Sequence, residues 1–252
     1  MAEPGRLVTS IYNGQPDPFN GGALASCAPS GALLPDGQPI VVLCKQVEQA
    51  TTDTTGAAGL SPTLQSGVAN RTRQWTYNQY GQVLTEDGPR TDVSDLTTYV
   101  YYSSTTDDHT LGDLQQVTNA AGQVTSYPLY NKHGQVLRQI DPNGVITDTT
   151  YDLRQRLTSV SVGGQTTTYT YDPVGQLTRI TQPDGSYVGY VYDAAHRLVA
   201  VTDALGNRID YTLDNAGNRT AEQVKDPAGT LARQITRSID ALGRVQQASG
   251  RQ

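Results

Sequence analysis

The chain has 252 residues, 18 Lys+Arg against 24 Asp+Glu for a formal net charge of −6, and 36% hydrophobic residues. An apolar fraction below the roughly 45–50% of an ordinary globular chain leaves little for a conventional core, and the acidic balance argues against non-specific nucleic-acid binding. The longest purely apolar run, Ile40-Val41-Val42-Leu43-Cys44, is far short of the roughly 20 residues of a membrane-spanning helix, and Met1-Ala2-Glu3-Pro4-Gly5-Arg6 lacks the charged-then-apolar pattern of a signal peptide.

Along the chain, residues 1–70 read as an irregular Pro/Gly/Thr-rich segment that holds both cysteines, Cys27 and Cys44, with 7–14 as a degenerate repeat copy. Residues 71–252 read as a repeat array. Its first copy is Tyr77-Asn78-Gln79-Tyr80-Gly81-Gln82-Val83-Leu84. An expanded repeat lies near 85–118, with 99–102 as strand and 103–110 as loop. Then come copies starting at Tyr130, Tyr151, Tyr171, Tyr192, Leu213 and Ile239, in steps of 21, 20, 21, 21 and 26 residues. A full copy reads Tyr171-Asp172-Pro173-Val174-Gly175-Gln176-Leu177. Tyr151-Asp152 and Tyr192-Asp193 repeat its opening, and Gly217 and Gly243 repeat its glycine, whereas Gln155 and His196 replace that glycine. A second glycine runs in counterphase at Gly122, Gly144, Gly164, Gly185, Gly206 and Gly229.

Each unit therefore predicts two turns and two short strands. Asp and Pro initiate the turns and Gly supplies positive φ. Thr166-Thr167-Thr168-Tyr169-Thr170-Tyr171 alternates with period two. A unit of about 21 residues is too short for a parallel crossover, so the strands should be antiparallel. Tyr169, Tyr190 and Tyr211 recur in one phase, which predicts ladders of ring packed on ring along one face. The expected fold is all-β, a curved antiparallel ribbon of stacked hairpins with about 14–16 strands. Both ends read as cuts through a longer array, whose open edges would favour self-association.

Tyr-Asp dipeptides recurring near every 21 residues, with Asp-x-x-Gly turns between them, resemble the RHS/YD-repeat family over about 71–246. The segments 111–125 and the surroundings of Cys27 and Cys44 carry a weaker resemblance. It implies a secreted or cell-surface bacterial protein whose repeats spiral into a segment of a hollow shell. The implied partners are the remainder of a longer chain and a C-terminal toxin or effector that the shell encloses or presents. Toxin-complex shell proteins and the animal teneurins are relatives. Residues 240–252 still read as repeat, so no shell-closing or self-cleaving residue is carried over. Some family descriptions add carbohydrate binding, which makes glycans a second class of partner. In an exported protein Cys27 and Cys44 pair as a disulfide; in a cytosolic one they stay free thiols.

The chemistry-bearing residues do not converge in the sequence. His109, His133 and His196 each sit in a turn or loop, with no His-x-x-x-His or Cys-x-x-Cys spacing that would suit a metal. No nucleophile turn or phosphate loop occurs. The many Asp residues read as turn caps and not as calcium ligands. The expectation is a non-enzymatic protein without a cofactor. Tyr169, Tyr190 and Tyr211 have two readings, the core side of the sheet or a face for stacking sugars.

Overall fold

The computed structural model describes residues 2, 3 and 5–250. They form two compact units that divide between Gly144 and Val145. The first holds β1 (Ala2–Glu3), β2 (Arg6–Tyr12), β3 (Leu43–Ala50), β4 (Arg71–Tyr77), β5 (Val83–Asp87), β6 (Thr97–Tyr101), β7 (Leu114–Thr118), β8 (Val124–Tyr130) and β9 (Val136–Ile140). The second holds β10 (Ile146–Tyr151), β11 (Leu157–Val162), β12 (Gln165–Tyr171), β13 (Leu177–Thr181), β14 (Tyr187–Tyr192), β15 (Leu198–Asp203), β16 (Arg208–Leu213), β17 (Arg219–Lys225), β18 (Leu231–Ile239) and β19 (Val245–Gly250). Within each unit every strand pairs antiparallel with its neighbours in sequence. The fold is all-β, and no helix occurs among the described residues. The 19 strands exceed the expected number because residues 1–70 contribute β1, β2 and β3.

The period-two pattern is realised on the pleat. In β12, Tyr169 and Tyr171 are half-buried while Thr168 and Thr170 beside them are exposed. The repeats also share one irregularity. The register slips by one residue immediately before Tyr77, Tyr101, Tyr130, Tyr151, Tyr171 and Tyr192, and before Leu213 and Ile239 in the drifted copies. Such a bulge inserts an unpaired residue and increases the local twist. The tyrosine then pairs with the residue that opens the returning strand, as Tyr171 does with Leu177.

The same pairing reveals the nature of the two long excursions. Tyr12 pairs with Leu43 and Tyr101 with Leu114, each after the same slip. Residues 13–42 and 102–113 are therefore insertions into the turn that other repeats close in five residues. The second closes with the bonds of an ordinary turn: Tyr102 N donates to Asp113 O and Gly112 N to Tyr102 O, just as Asn131 N donates to Gln135 O and Gly134 N to Asn131 O, while the first shares the outer bond, from Asn13 N to Val42 O. Each excursion then folds back on the next repeat. Cys27 O accepts from Tyr77 N, and Asp108 O accepts from Tyr130 N.

Full burial is scarce and uneven. The buried apolar residues are Ile11, Ala32, Cys44, Val47, Tyr130 and Ala200. Four of them gather where the first excursion meets β2 and β3. That excursion is pinned by the Cys27–Cys44 disulfide, with Cα atoms 5.4 Å apart, and by the ion pair of buried Asp17 with Lys45. In the second unit Ala200 stands alone as a buried side chain among the described residues. Cohesion there comes from backbone ladders, cross-strand pairs and contacts between neighbouring turns.

Candidate functional site

Within each unit the repeated residues form a row of linked turns. In several repeats the tyrosine hydroxyl reaches back to the preceding repeat and donates to the carbonyl of the residue that opens its returning strand. Tyr77 donates to Leu43 O, Tyr101 to Val83 O, Tyr130 to Leu114 O, Tyr171 to Leu157 O and Tyr192 to Leu177 O. A hydroxyl buried beside a sheet needs such a partner. Burial raises the phenol pKa at Tyr77, Tyr101 and Tyr192, and pushes Tyr130 up to about 12, aided by the nearby Asp113 carboxylate.

After the tyrosine, an Asp or Asn organises the turn. Asp152 Oδ1 accepts from Arg154 N and Arg156 N, and Asp193 Oδ1 accepts from Ala195 N and Arg197 N. The other oxygen takes the side chain four residues on: Arg156 Nε donates to Asp152 Oδ2 and Arg197 Nε to Asp193 Oδ2, both at 2.8 Å. Asp240 with Arg244, Asp203 with Asn207 and Asp214 with Asn218 repeat this. Where Asn replaces Asp, the partner becomes Gln: Asn78 with Gln82, Asn119 with Gln123 and Asn131 with Gln135. A carboxylate selects a donor and an amide selects an amide. The Arg156 and Arg197 guanidiniums hold the carboxyls of Asp152 and Asp193 below the usual carboxylate range.

Asp172 departs from this pairing. Its Oδ1 still accepts from Gly175 N and Gln176 N, but Gln176 Nε2 donates to His196 O in the next turn, at 2.9 Å. Neighbouring turns are tied likewise by Arg154 Nη1 to Pro173 O, Arg197 Nη1 to Asp214 O and Gln82 Nε2 to Gly112 O. The third residue past the Asp lies in left-handed backbone: Gly175 at φ 106°, Gly217 at 88° and Gly243 at 77°. Gln155 and His196 adopt it too, at 65° each. At Gly175 the absent side chain matters twice, because an added Cβ would also stand 3.3 Å from Arg156 Nη1.

The candidate ligand face is less concentrated than its sequence phase suggests. Tyr169, Tyr190 and Tyr211 are half-buried and pair across strands with Ile180, Val201 and Glu222. Ile180 continues to Val188, two residues short of Tyr190, and Val201 continues to Ile209, two short of Tyr211. Equal phase therefore means two strands across and two residues along, about 12 Å at ordinary strand spacings. The expected ring-on-ring ladder does not form; aliphatic side chains separate the rings. Arg219 covers the Tyr211 ring, its Cζ 3.8 Å from the centroid. The sole stacked ring pair among the described residues is Tyr102 with His109, at 3.5 Å.

The histidines stay apart. His109 lies on the second excursion, His133 in the 131–135 turn, and His196 in the 193–197 turn with its Nδ1 against Gln176 Oε1. Among the described residues no group of three or more His, Cys, Asp or Glu could hold a metal ion. No helix among them is long and apolar enough to cross a membrane. Sequence reasoning overlooked Arg156, Arg197, Arg244, Asn207 and Asn218. Their signal is present as an Arg or Asn four residues after the turn Asp, exchanged for Gln after the turn Asn.

The family model described as RHS Repeat matches residues 130–164, 160–187 and 192–231. No curated protein matches the chain. Among solved structures, the chain is similar to the crystal structure of TcdB2-TccC3, with a TM-score of 0.62 and 21% identity over 86% of this chain and 12% of that one. The same complex without its hypervariable C-terminal region matches with a TM-score of 0.59 and 20% identity, over 86% and 12% of the two chains. A Photorhabdus luminescens Tc holotoxin pore matches with a TM-score of 0.56 and 18% identity, over 84% and 14%. The chain thus spans 12–14% of the length of these proteins and shares their fold.

Proposed function

We propose that this chain, whose residues 130–164, 160–187 and 192–231 match the RHS Repeat model, is a non-catalytic wall segment of a longer RHS protein, part of a β-sheet shell that encloses or presents a toxin or effector outside the producing cell. The observation that carries this reading is the linkage of the repeats. Within the second unit, tyrosine hydroxyls and turn side chains tie several repeats to their neighbours, and that unit has almost no buried core of its own. A module organised in this way is extended by adding repeats. It supplies surface and not a reaction centre. The Cys27–Cys44 disulfide suits an oxidising compartment outside the cytosol.

The test is the size of the native polypeptide. An antibody raised against residues 130–240 is used to probe the source cells and their secreted fraction. A product several times larger than 27.1 kDa, found outside the cell, is expected. A product near 27.1 kDa overturns the wall-segment reading, because a ribbon of this length is too short to enclose a folded cargo.

A further inference from the structure

Three Asn-Gly pairs occur in the chain, at Asn13-Gly14, Asn20-Gly21 and Asn143-Gly144. An asparagine followed by glycine loses its side-chain amide when the glycine nitrogen attacks the side-chain carbonyl carbon. The new N–C bond closes a five-membered succinimide and ammonia leaves. Water then opens the ring at either carbonyl, giving aspartate or isoaspartate. The reaction needs a mobile side-chain amide and a glycine N–H that is not held by an acceptor. A held group must first break its bond, at a factor of about five for each.

The fold treats the three pairs differently. Asn13 is held on all sides: its Nδ2 donates to Ile40 O at 3.1 Å, its Oδ1 accepts from Cys27 N at 3.3 Å, and Gly14 N donates to Ala25 O at 2.8 Å. At Asn143 the exposed side chain has no hydrogen-bond partner among the described residues, but Gly144 N donates to Asp141 O at 3.0 Å. Asn20 is exposed, its side-chain amide has no hydrogen bond among the described residues, and neither has the Gly21 N–H, although Asn20 N, Gly22 N and Ala23 N on either side are all engaged. Gly21 and Gly22 both have positive φ, at 63° and 81°, a backbone shape that glycine alone takes without strain.

We propose that Asn20 is a site of spontaneous deamidation in the folded protein, and that conversion there loosens the anchor of the first excursion. The turn around it is built on Asp17. Asn20 N and Gly22 N both donate to Asp17 O, Phe19 N donates to Asp17 Oδ1, and the Asp17 side chain holds Lys45 beneath the excursion. Isoaspartate at position 20 lengthens the backbone by one methylene inside that turn. The bonds from Asn20 N and Gly22 N to one carbonyl can then no longer both be kept.

The test is incubation of the full disulfide-bonded chain at mildly alkaline pH and body temperature, followed by peptide mapping by mass spectrometry. The parallel sample is reduced and unfolded in urea. In the folded chain the expected order is Asn20 fastest, Asn143 slower by a factor of about five, and Asn13 slower by a factor on the order of one hundred, from one and three bonds to break. In the unfolded chain the three rates should converge. Asn13 or Asn143 reacting as fast as Asn20 in the folded chain overturns the proposal, and so does an unchanged order in urea, which would place the cause in local sequence.

Discussion

Tyr130 offers the sharpest test of the hydroxyl link between repeats. It is 6% exposed, and its hydroxyl donates to Leu114 O. Tyr130→Phe keeps the ring and deletes the donor, so near pH 8 the cost is about 1 kcal/mol for the lost hydrogen bond. Alkaline pH changes the sign of the comparison. Burial raises the folded-state pKa from 10.0 to about 12. The stabilisation tied to this proton is therefore complete below the unfolded value and is lost as pH rises through the folded one. At about 1.36 kcal/mol per pKa unit, the wild type loses about 1.4 kcal/mol from this group between about pH 8 and pH 11, and the phenylalanine variant loses none of it. The two stability curves should meet or cross near pH 11. Urea unfolding followed by the fluorescence of Trp75, which lies in the same unit, reads the difference at each pH. A gap that stays constant over that whole range would show that the hydroxyl is not buried against the carbonyl, and would refute the link.

The other expectations concern the turns and the first excursion. Gly175→Ala places a side chain at φ 106° and 3.3 Å from Arg156 Nη1; it should lower stability by at least about 1–2 kcal/mol, measured by thermal unfolding, and an unchanged Tm would sink the steric argument. Reducing the Cys27–Cys44 bond opens a loop of sequence separation 17 and should cost about 3 kcal/mol in the chain-entropy description. Equal urea midpoints with and without dithiothreitol would contradict it. The carboxyls of Asp152 and Asp193 are held low by their arginines, so their stabilisation is present above the unfolded value of about 3.9 and disappears as pH falls through the lower folded values. Asp193→Asn should flatten the acid limb of the stability curve below about pH 4 while leaving its alkaline limb alone. An acid limb identical to wild type would place the acid sensitivity elsewhere.

Much of the repeat is legible in residue order, because its devices are local. The Asp turn is closed by atoms four residues apart, as in Asp152 with Arg156. The left-handed position is marked by glycine in most copies, and its occupation by Gln155 and His196 shows that the turn, and not the residue, sets the backbone there. Strand type follows from alternation, since a pleated strand sends successive side chains to opposite faces.

Residue order thus dictates the hairpin, its period and its antiparallel sense, whereas the meeting of one hairpin with the next is a matter of packing in space. The tyrosine hydroxyl bonds span 14 to 34 residues, from Tyr171 with Leu157 to Tyr77 with Leu43, and no short motif records an acceptor that is a backbone carbonyl. The nature of 13–42 as a turn insertion is likewise visible only once Tyr12 pairs with Leu43. The same holds for Tyr169, Tyr190 and Tyr211, which the sheet staggers instead of stacking. A periodic sequence specifies phase along the chain, but the offset between neighbouring strands depends on register, and register is settled by bulges and cross-strand packing.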